Sequence, residues 1–208
     1  MKKIKVACIS IGTALLLAAL FFVLFNLNQD RKSGETAQSI LAELKEDIME
    51  NSSEEDIENS VNDDLYSEYE SSEAAEPYAD IDGNTYIGVI AIPSLGIELP
   101  VMNEWSYPSL KISPCRYKGT AADNDLIIAA HNYKSHFGRI NELSGGEEII
   151  FTDAAGKLYR YEVTLVDNIR GTDIEAMEFD SSEDWDITLF TCTLSGQSRV
   201  TVRAVRVE

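Results

Sequence analysis

The chain has 208 residues, 36 of them acidic against 17 basic, for a formal net charge of −19. That length allows one domain with some chain left over. The acidic balance excludes a nucleic-acid binder, which needs a basic face for phosphate, and three cysteines are too few for a disulfide framework.

At the N-terminus Lys2, Lys3 and Lys5 precede an apolar run from Val6 to Phe25. About 20 such residues cross a bilayer as a helix. A cleaved signal peptide would have a shorter apolar core and a small-x-small site. Asn26-Leu27-Asn28-Gln29-Asp30 offers none. Residues 6–27 are therefore predicted as an uncleaved transmembrane anchor. Lysines on the short flank place residues 1–5 in the cytoplasm and the rest outside. Arg31 and Lys32 weaken that bias without cancelling it.

Residues 28–80 read as an acidic, largely disordered stalk. From Asp30 to Asp82 there are 18 acidic residues against three basic ones. A Glu, Asp, Ser and Asn composition with few aromatics buries too little apolar area to fold alone. The charge also argues against docking on anionic lipid. Ala37, Ile40, Leu41, Leu44 and Ile48 recur at helical spacing. Two readings fit: a juxtamembrane helix that frays, which the marginal stability of isolated helices favours, or a helix packed on the domain or a partner.

Order is expected from near Tyr78, with the folded domain at residues 81–208. Tyr86–Ile92 reads as a strand stopped by Pro93, and Ile97–Val101 as a short strand whose Pro100 suits a sheet edge. Asp125–Ala130 is a buried strand, followed by a His131–Gly138 loop and a helical turn to Leu143. Glu147–Thr152 and Leu158–Val166 pair across Asp153–Lys157 as a hairpin. Asp186–Thr191 and Arg199–Val207 complete the set. The fold class is all-β: a barrel of seven or eight short strands with scraps of helix, a sandwich being the other architecture with this pattern.

Three chemistry-bearing side chains fall at strand ends. Cys192 closes Thr188-Leu189-Phe190-Thr191-Cys192, His131 ends the strand at 125–130, and Arg199 opens the last strand. A thiol, an imidazole and a guanidinium suit nucleophilic acyl transfer. Of the other cysteines, Cys8 lies in the apolar run. A Cys115–Cys192 disulfide would consume the nucleophile and is not expected. His136, five residues past His131, lies in a polar loop, where a proton-transfer group is less well fixed. Alternation puts Arg199 and Arg203 on one face, but Arg203 lies roughly 13 Å further along the strand at ~3.3 Å per residue. Arg199 is therefore the one that reaches the thiol, and Arg203 and Arg206 are surface charge. No His/Cys spacing matches zinc, and neither metal nor cofactor is expected.

The Thr-Leu-x-Thr-Cys run resembles the signature of sortases, membrane-anchored transpeptidases of Gram-positive bacteria. The tail Arg199-x-x-Val202-Arg203-Ala204-x-Arg206 is similar to that of several sortase classes. Ile87–Pro93 with Leu99-Pro100-Val101 resembles the family's opening strands. The likeness covers about residues 84–207. Departures are Ala130 where many members have glycine, a short Cys192–Arg199 loop, and no Asp-Pro-aromatic lid or C-terminal span, so a typical pilin-polymerising member is not expected.

The resemblance implies a β-barrel cysteine transpeptidase at the cell membrane. Cys192 would attack a C-terminal sorting signal of the Leu-Pro-x-Thr-Gly kind in secreted proteins. His131 would be the general acid/base, Arg199 would bind oxyanion or substrate, and Thr191 and Leu189 would contact the substrate. An amine of a cell-wall peptide or another protein would take the acyl group. Some members bind calcium through acidic clusters; Glu147, Glu148 and Asp153 are better read as scattered surface carboxylates. The competing readings are a cysteine hydrolase on the same dyad and a non-enzymatic surface β-domain.

Overall fold

The computed structural model describes residues 2–61, 76–177 and 185–207. Helix α1 (Lys2–Val61) is followed by β1 (Ala79–Ile81), β2 (Asn84–Ile92), β3 (Ile97–Met102), α2 (Tyr107–Leu110), β4 (Cys115–Lys118), β5 (Leu126–Ala130), β6 (Glu148–Asp153), β7 (Leu158–Arg170), β8 (Ile187–Cys192) and β9 (Ser198–Val207). The strand order is β1-β2-β3-β4-β5-β8-β9-β7-β6, and β6 pairs back onto β2. Eight strands, β2 to β9, thus close a barrel, as the alternating short strands predicted.

Closure depends on one glycine. Along the same edge β2 pairs first with β1, at Tyr86↔Ala79, then with β6, at Gly88↔Asp153. Gly88 has φ of +150°, and a Cβ there would lie 2.0 Å from the Thr152 carbonyl oxygen. Only a residue without a side chain lets the two backbones meet. Pro100 has the edge character expected of it, because β3 meets β4 only through Met102↔Cys115.

Strand alternation sorts apolar side chains into two layers. Leu126, Ile128, Ala130, Leu189 and Val202 fill the barrel interior. Ile127, Ala129, Cys115 and Phe190 lie in a second cluster outside it, with Ile40, Leu41, Leu44 and Ile48 of α1.

That second layer corrects the stalk expectation over 28–80. Helix α1 runs unbroken from the apolar segment through Val61, and Ala37, Leu41 and Leu44 are at most 5% exposed. Lys45 pairs with Glu98 of β3 at 2.5 Å, and Gln38 donates to the Glu98 carbonyl at 3.1 Å. The segment is too polar to fold alone, but its one apolar stripe is covered by the outside of the sheet, so tertiary packing supplies what composition lacks. Residues 62–75 lie outside the described residues. The N-terminal part of α1 is long and apolar enough to cross a membrane, with Leu16 and Phe22 exposed.

β1, α2 and β4 are additions to the sequence reading. β1 has three residues and β4 four, too short for a period to register. α2 had a legible start: Ser106 Oγ accepts from Ser109 N at 3.0 Å, and Pro108 sits in the first turn.

Candidate active site

β5 and β8 are parallel neighbours, paired up to Ala130↔Thr191. The next residue on each is His131 and Cys192. β8 and β9 are antiparallel, and their last pair is Cys192↔Arg199. The three residues therefore stand side by side across three adjacent strands, about 4.8 Å apart per strand. Ala129, Phe190 and Thr201 precede or follow them by two positions. Alternation thus places all three on the outer face of the barrel, the side of Ile127, Ala129 and Phe190.

A tight β8–β9 turn fixes the Cys192–Arg199 pairing. Thr193 N donates to Ser198 O at 3.0 Å and Gly196 N to Thr193 O at 2.9 Å, with Gly196 at φ +71°. Cys192 is half-buried and unpaired. Cys115 is also unpaired but fully buried, and burial pushes its thiol up to about 12. At neutral pH it is a thiol, the unreactive form.

Arg199 Nη1 donates to the carbonyls of Gly196 at 3.1 Å and Ser198 at 3.3 Å. A Cβ at Gly171 would come within 2.8 Å of the same nitrogen, so Gly171 leaves room for the guanidinium. Arg203 lies over the Trp185 ring, 3.9 Å from its centroid, and donates to the Ala176 carbonyl. Arg206 stacks on Tyr159 and donates to Asn124 Oδ1.

His131 is half-buried. Burial lowers its pKa, and the Lys111 ammonium lowers it further. Tyr133 packs on it, ring centroids 4.8 Å apart. His136 is not in a solvated loop, as its polar neighbours suggested. It is fully buried, its Nε2 is 3.0 Å from Ser33 Oγ of α1, and burial pushes its pKa down to about 4.

Thr191 and Leu189 are not at the site. They alternate with Cys192 and face the barrel interior, 3% and 0% exposed. Thr191 Oγ1 donates to the Ala130 carbonyl at 2.8 Å, tying β8 to β5 just below the His131–Cys192 pair. Phe190 takes the outward place. Its ring meets Tyr117 edge-on at 5.4 Å, and Tyr117 meets Trp105 at 6.2 Å, which packs on Tyr107 at 5.3 Å. Counting by two from Cys192 would have found Phe190. Nothing in the sequence pointed to the rest of this aromatic strip.

The three carboxylates considered for calcium have other uses. Asp153 caps the hairpin turn, accepting from Ala155 N and Lys157 N at 3.0 and 2.9 Å. Glu147 accepts from Ser144 N, and Glu148 pairs with Arg160. A groove of about 600 Å³ between α1 and β3, lined by Arg31, Glu35, Leu95, Glu98 and Lys134, includes none of the three site residues.

Comparison with known proteins points one way. A family model described as the sortase domain matches residues 90–207. Sortase A of Bacillus anthracis is 31% identical over 119 residues, 55% of each chain, so this chain spans about half the length of that curated relative. Sortase C1 of Streptococcus agalactiae superposes with a TM-score of 0.55 at 25% identity, over 62% of this chain and 70% of that one. A Clostridium perfringens sortase D5 transpeptidase gives 0.61 at 20% identity, over 84% and 99%. A sortase C from the same organism, crystallised with a C-terminal cell wall sorting motif, gives 0.55 at 21%, over 84% and 98%.

Proposed function

The chain belongs to the sortase family, and on that premise we propose that it is a membrane-anchored cysteine transpeptidase acting on C-terminal sorting signals of the Leu-Pro-x-Thr-Gly kind. The observation that carries this is the shared outer face of His131, Cys192 and Arg199 on three neighbouring strands. The Cys192 thiolate attacks the scissile carbonyl. The carbon–sulfur bond forms first, giving a tetrahedral intermediate; its collapse breaks the carbon–nitrogen bond, and His131 passes the proton released by the Cys192 thiol to the departing amine. Arg199 stabilises the oxyanion of the tetrahedral intermediate. An acceptor amine then attacks the thioacyl carbon, gives up a proton to His131, and releases Cys192. The acceptor is a cell-wall peptide or another protein. The steps require neither metal nor cofactor.

The aromatic strip Phe190–Tyr117–Trp105–Tyr107 supports an extended, partly apolar peptide as substrate. It runs from beside the thiol and ends in exposed rings, Trp105 at 40% and Tyr107 at 71%. Stacked aromatic faces bind Leu and Pro side chains at low entropic cost. The C. perfringens neighbour with a sorting motif points to the same ligand class. The apolar start of α1 serves as anchor, with residues 1–5 in the cytoplasm and the barrel outside.

The test is a Leu-Pro-x-Thr-Gly peptide with and without an added amine. Cys192→Ala should abolish cleavage and Cys115→Ala retain most of it; a dead Cys115→Ala with an active Cys192→Ala would reverse the assignment. If water rather than the amine takes the acyl group at every amine concentration, the protein is a hydrolase.

A further inference from the structure

The strand ladder ends at Ala130, so it does not by itself hold His131. The loop that follows is knit internally. Phe137 N donates to His131 O at 3.2 Å, and His136 N and Gly138 N to Tyr133 O at 3.0 and 2.8 Å. The Tyr133 ring lies between the two imidazoles, 4.8 Å from His131 and 5.7 Å from His136.

The loop is then fastened from outside, by α1. Asp30 accepts from Lys134 N at 3.2 Å, Ser135 N at 3.1 Å and Ser135 Oγ at 2.6 Å. Ser33 Oγ donates its one proton to the Lys111 carbonyl at 2.5 Å. It can therefore only accept from His136 Nε2, which fixes His136 as the Nε2–H tautomer. These contacts are distinct from the apolar docking of α1. That docking involves Ile40 to Ile48 and the outer layer of β1 and β2. Asp30 and Ser33 come about two helical turns earlier and bond the histidine loop.

We propose that the anchor helix is a positioning element of the active site: Asp30 and Ser33, acting through His136 and Tyr133, hold the His131 imidazole beside Cys192. The inference rests on the catalytic reading of His131 and Cys192. Proton transfer demands a partner held within hydrogen-bond reach, and small displacements are costly. A loop anchored only at its strand end would let the imidazole wander.

The experiment uses the full chain in detergent micelles and a Leu-Pro-x-Thr-Gly peptide. Ser33→Ala and Asp30→Ala should each lower kcat about tenfold, on the scale of a displaced acid–base group, with KM unchanged. In a His131→Ala background, read by single turnover, the same substitutions should change nothing, since coupled residues are non-additive. His136→Gln keeps a donor where Nε2 lies and should retain most activity; His136→Phe fills the space without the donor and should fall with Ser33→Ala. Should Ser33→Ala fail to fold, Asp30→Asn, an isostere, carries the test. Equal losses in both backgrounds, or a wild-type kcat for Ser33→Ala and Asp30→Ala, would overturn the proposal while Cys192→Ala stays inactive and His131→Ala keeps only a slow residual turnover. A fully active His131→Ala enzyme would overturn the catalytic reading itself, and this inference with it.

Discussion

Cys192 and Arg199 are direct partners across the β8–β9 ladder, yet the guanidinium is held by backbone, not by the thiol. Nη1 makes both bonds, to Gly196 O and Ser198 O. Nε and Nη2 have no protein partner among the described residues. One limb of the fork positions the group and the other is open to a ligand. Lysine keeps the charge and loses the fork. Arg199→Lys is expected to lose about 3 kcal/mol of transition-state stabilisation, the scale of one oxyanion-hole donor, read as kcat/KM. Arg203→Lys should keep its turnover. A fully active Arg199→Lys enzyme would leave only a general electrostatic role.

Removing α1 should unfold part of the barrel. A chain starting at residue 76 loses Ile40, Leu41, Leu44 and Ile48, all under 9% exposed, and bares the apolar residues they cover. At roughly 1.5–3 kcal/mol per buried side chain, the four represent about 6–12 kcal/mol as an upper bound. That is comparable with the whole stability of a domain. Circular dichroism melting against the chain starting at Asp30 checks this; equal melting temperatures would mean that the barrel stands alone.

Phe190 and Leu189 are adjacent, and their substitutions should separate cleanly. Phe190→Ala should raise KM for the sorting-signal peptide, since the ring starts the outer aromatic strip. Leu189→Ala opens a cavity in the barrel and should cost 2–5 kcal/mol of stability, on the order usual for Leu in a core. Urea midpoints and KM values distinguish the two. A raised KM with normal stability for Leu189→Ala would contradict its inward orientation.

His136 should make the fold acid-sensitive. Its pKa drops from 6.5 to about 4, chiefly through burial, with the charge on His131 adding to the drop and Asp30 opposing it. Because the folded pKa is depressed, the stability contribution is whole above pH 6.5 and is lost as pH falls through about 4. The full shift corresponds to about 3 kcal/mol. His136→Gln should flatten the stability profile between pH 6.5 and 4 while leaving the profile above pH 7 unchanged. Identical acid profiles for the two proteins would dismiss His136 as the sensor.

Much of this was written in local sequence. Seven of the nine strands announced themselves by alternation or apolar runs bounded by Gly and Pro, because the pattern survives in five or more residues. Cys192, His131 and Arg199 could be named because each sits at a strand end, and the family signature surrounds the first. Thr191 and Leu189 were misplaced because neighbours in sequence point to opposite faces of a strand; the run marks the cysteine, not the contact surface. His136 and α1 were misread for a common reason. Each looks solvated from its own neighbours; Ser33 of α1 meets the buried His136 from about a hundred residues away, and strands β1 and β2 cover the apolar stripe of α1. Composition windows do not see such a partner.

The continuity of α1 sets a height. From Phe25 to Asp30 the helix rises about 7.5 Å at 1.5 Å per residue, and Asp30 already grips the histidine loop. With the apolar segment in the bilayer, the barrel cannot swing on a leash. It stands on a short rigid mast, within about one helix diameter of the headgroups. On the proposed membrane-anchored reading, its encounters would be confined to a thin sheet along the bilayer, and lateral diffusion rather than tether length would govern how soon a substrate arrives.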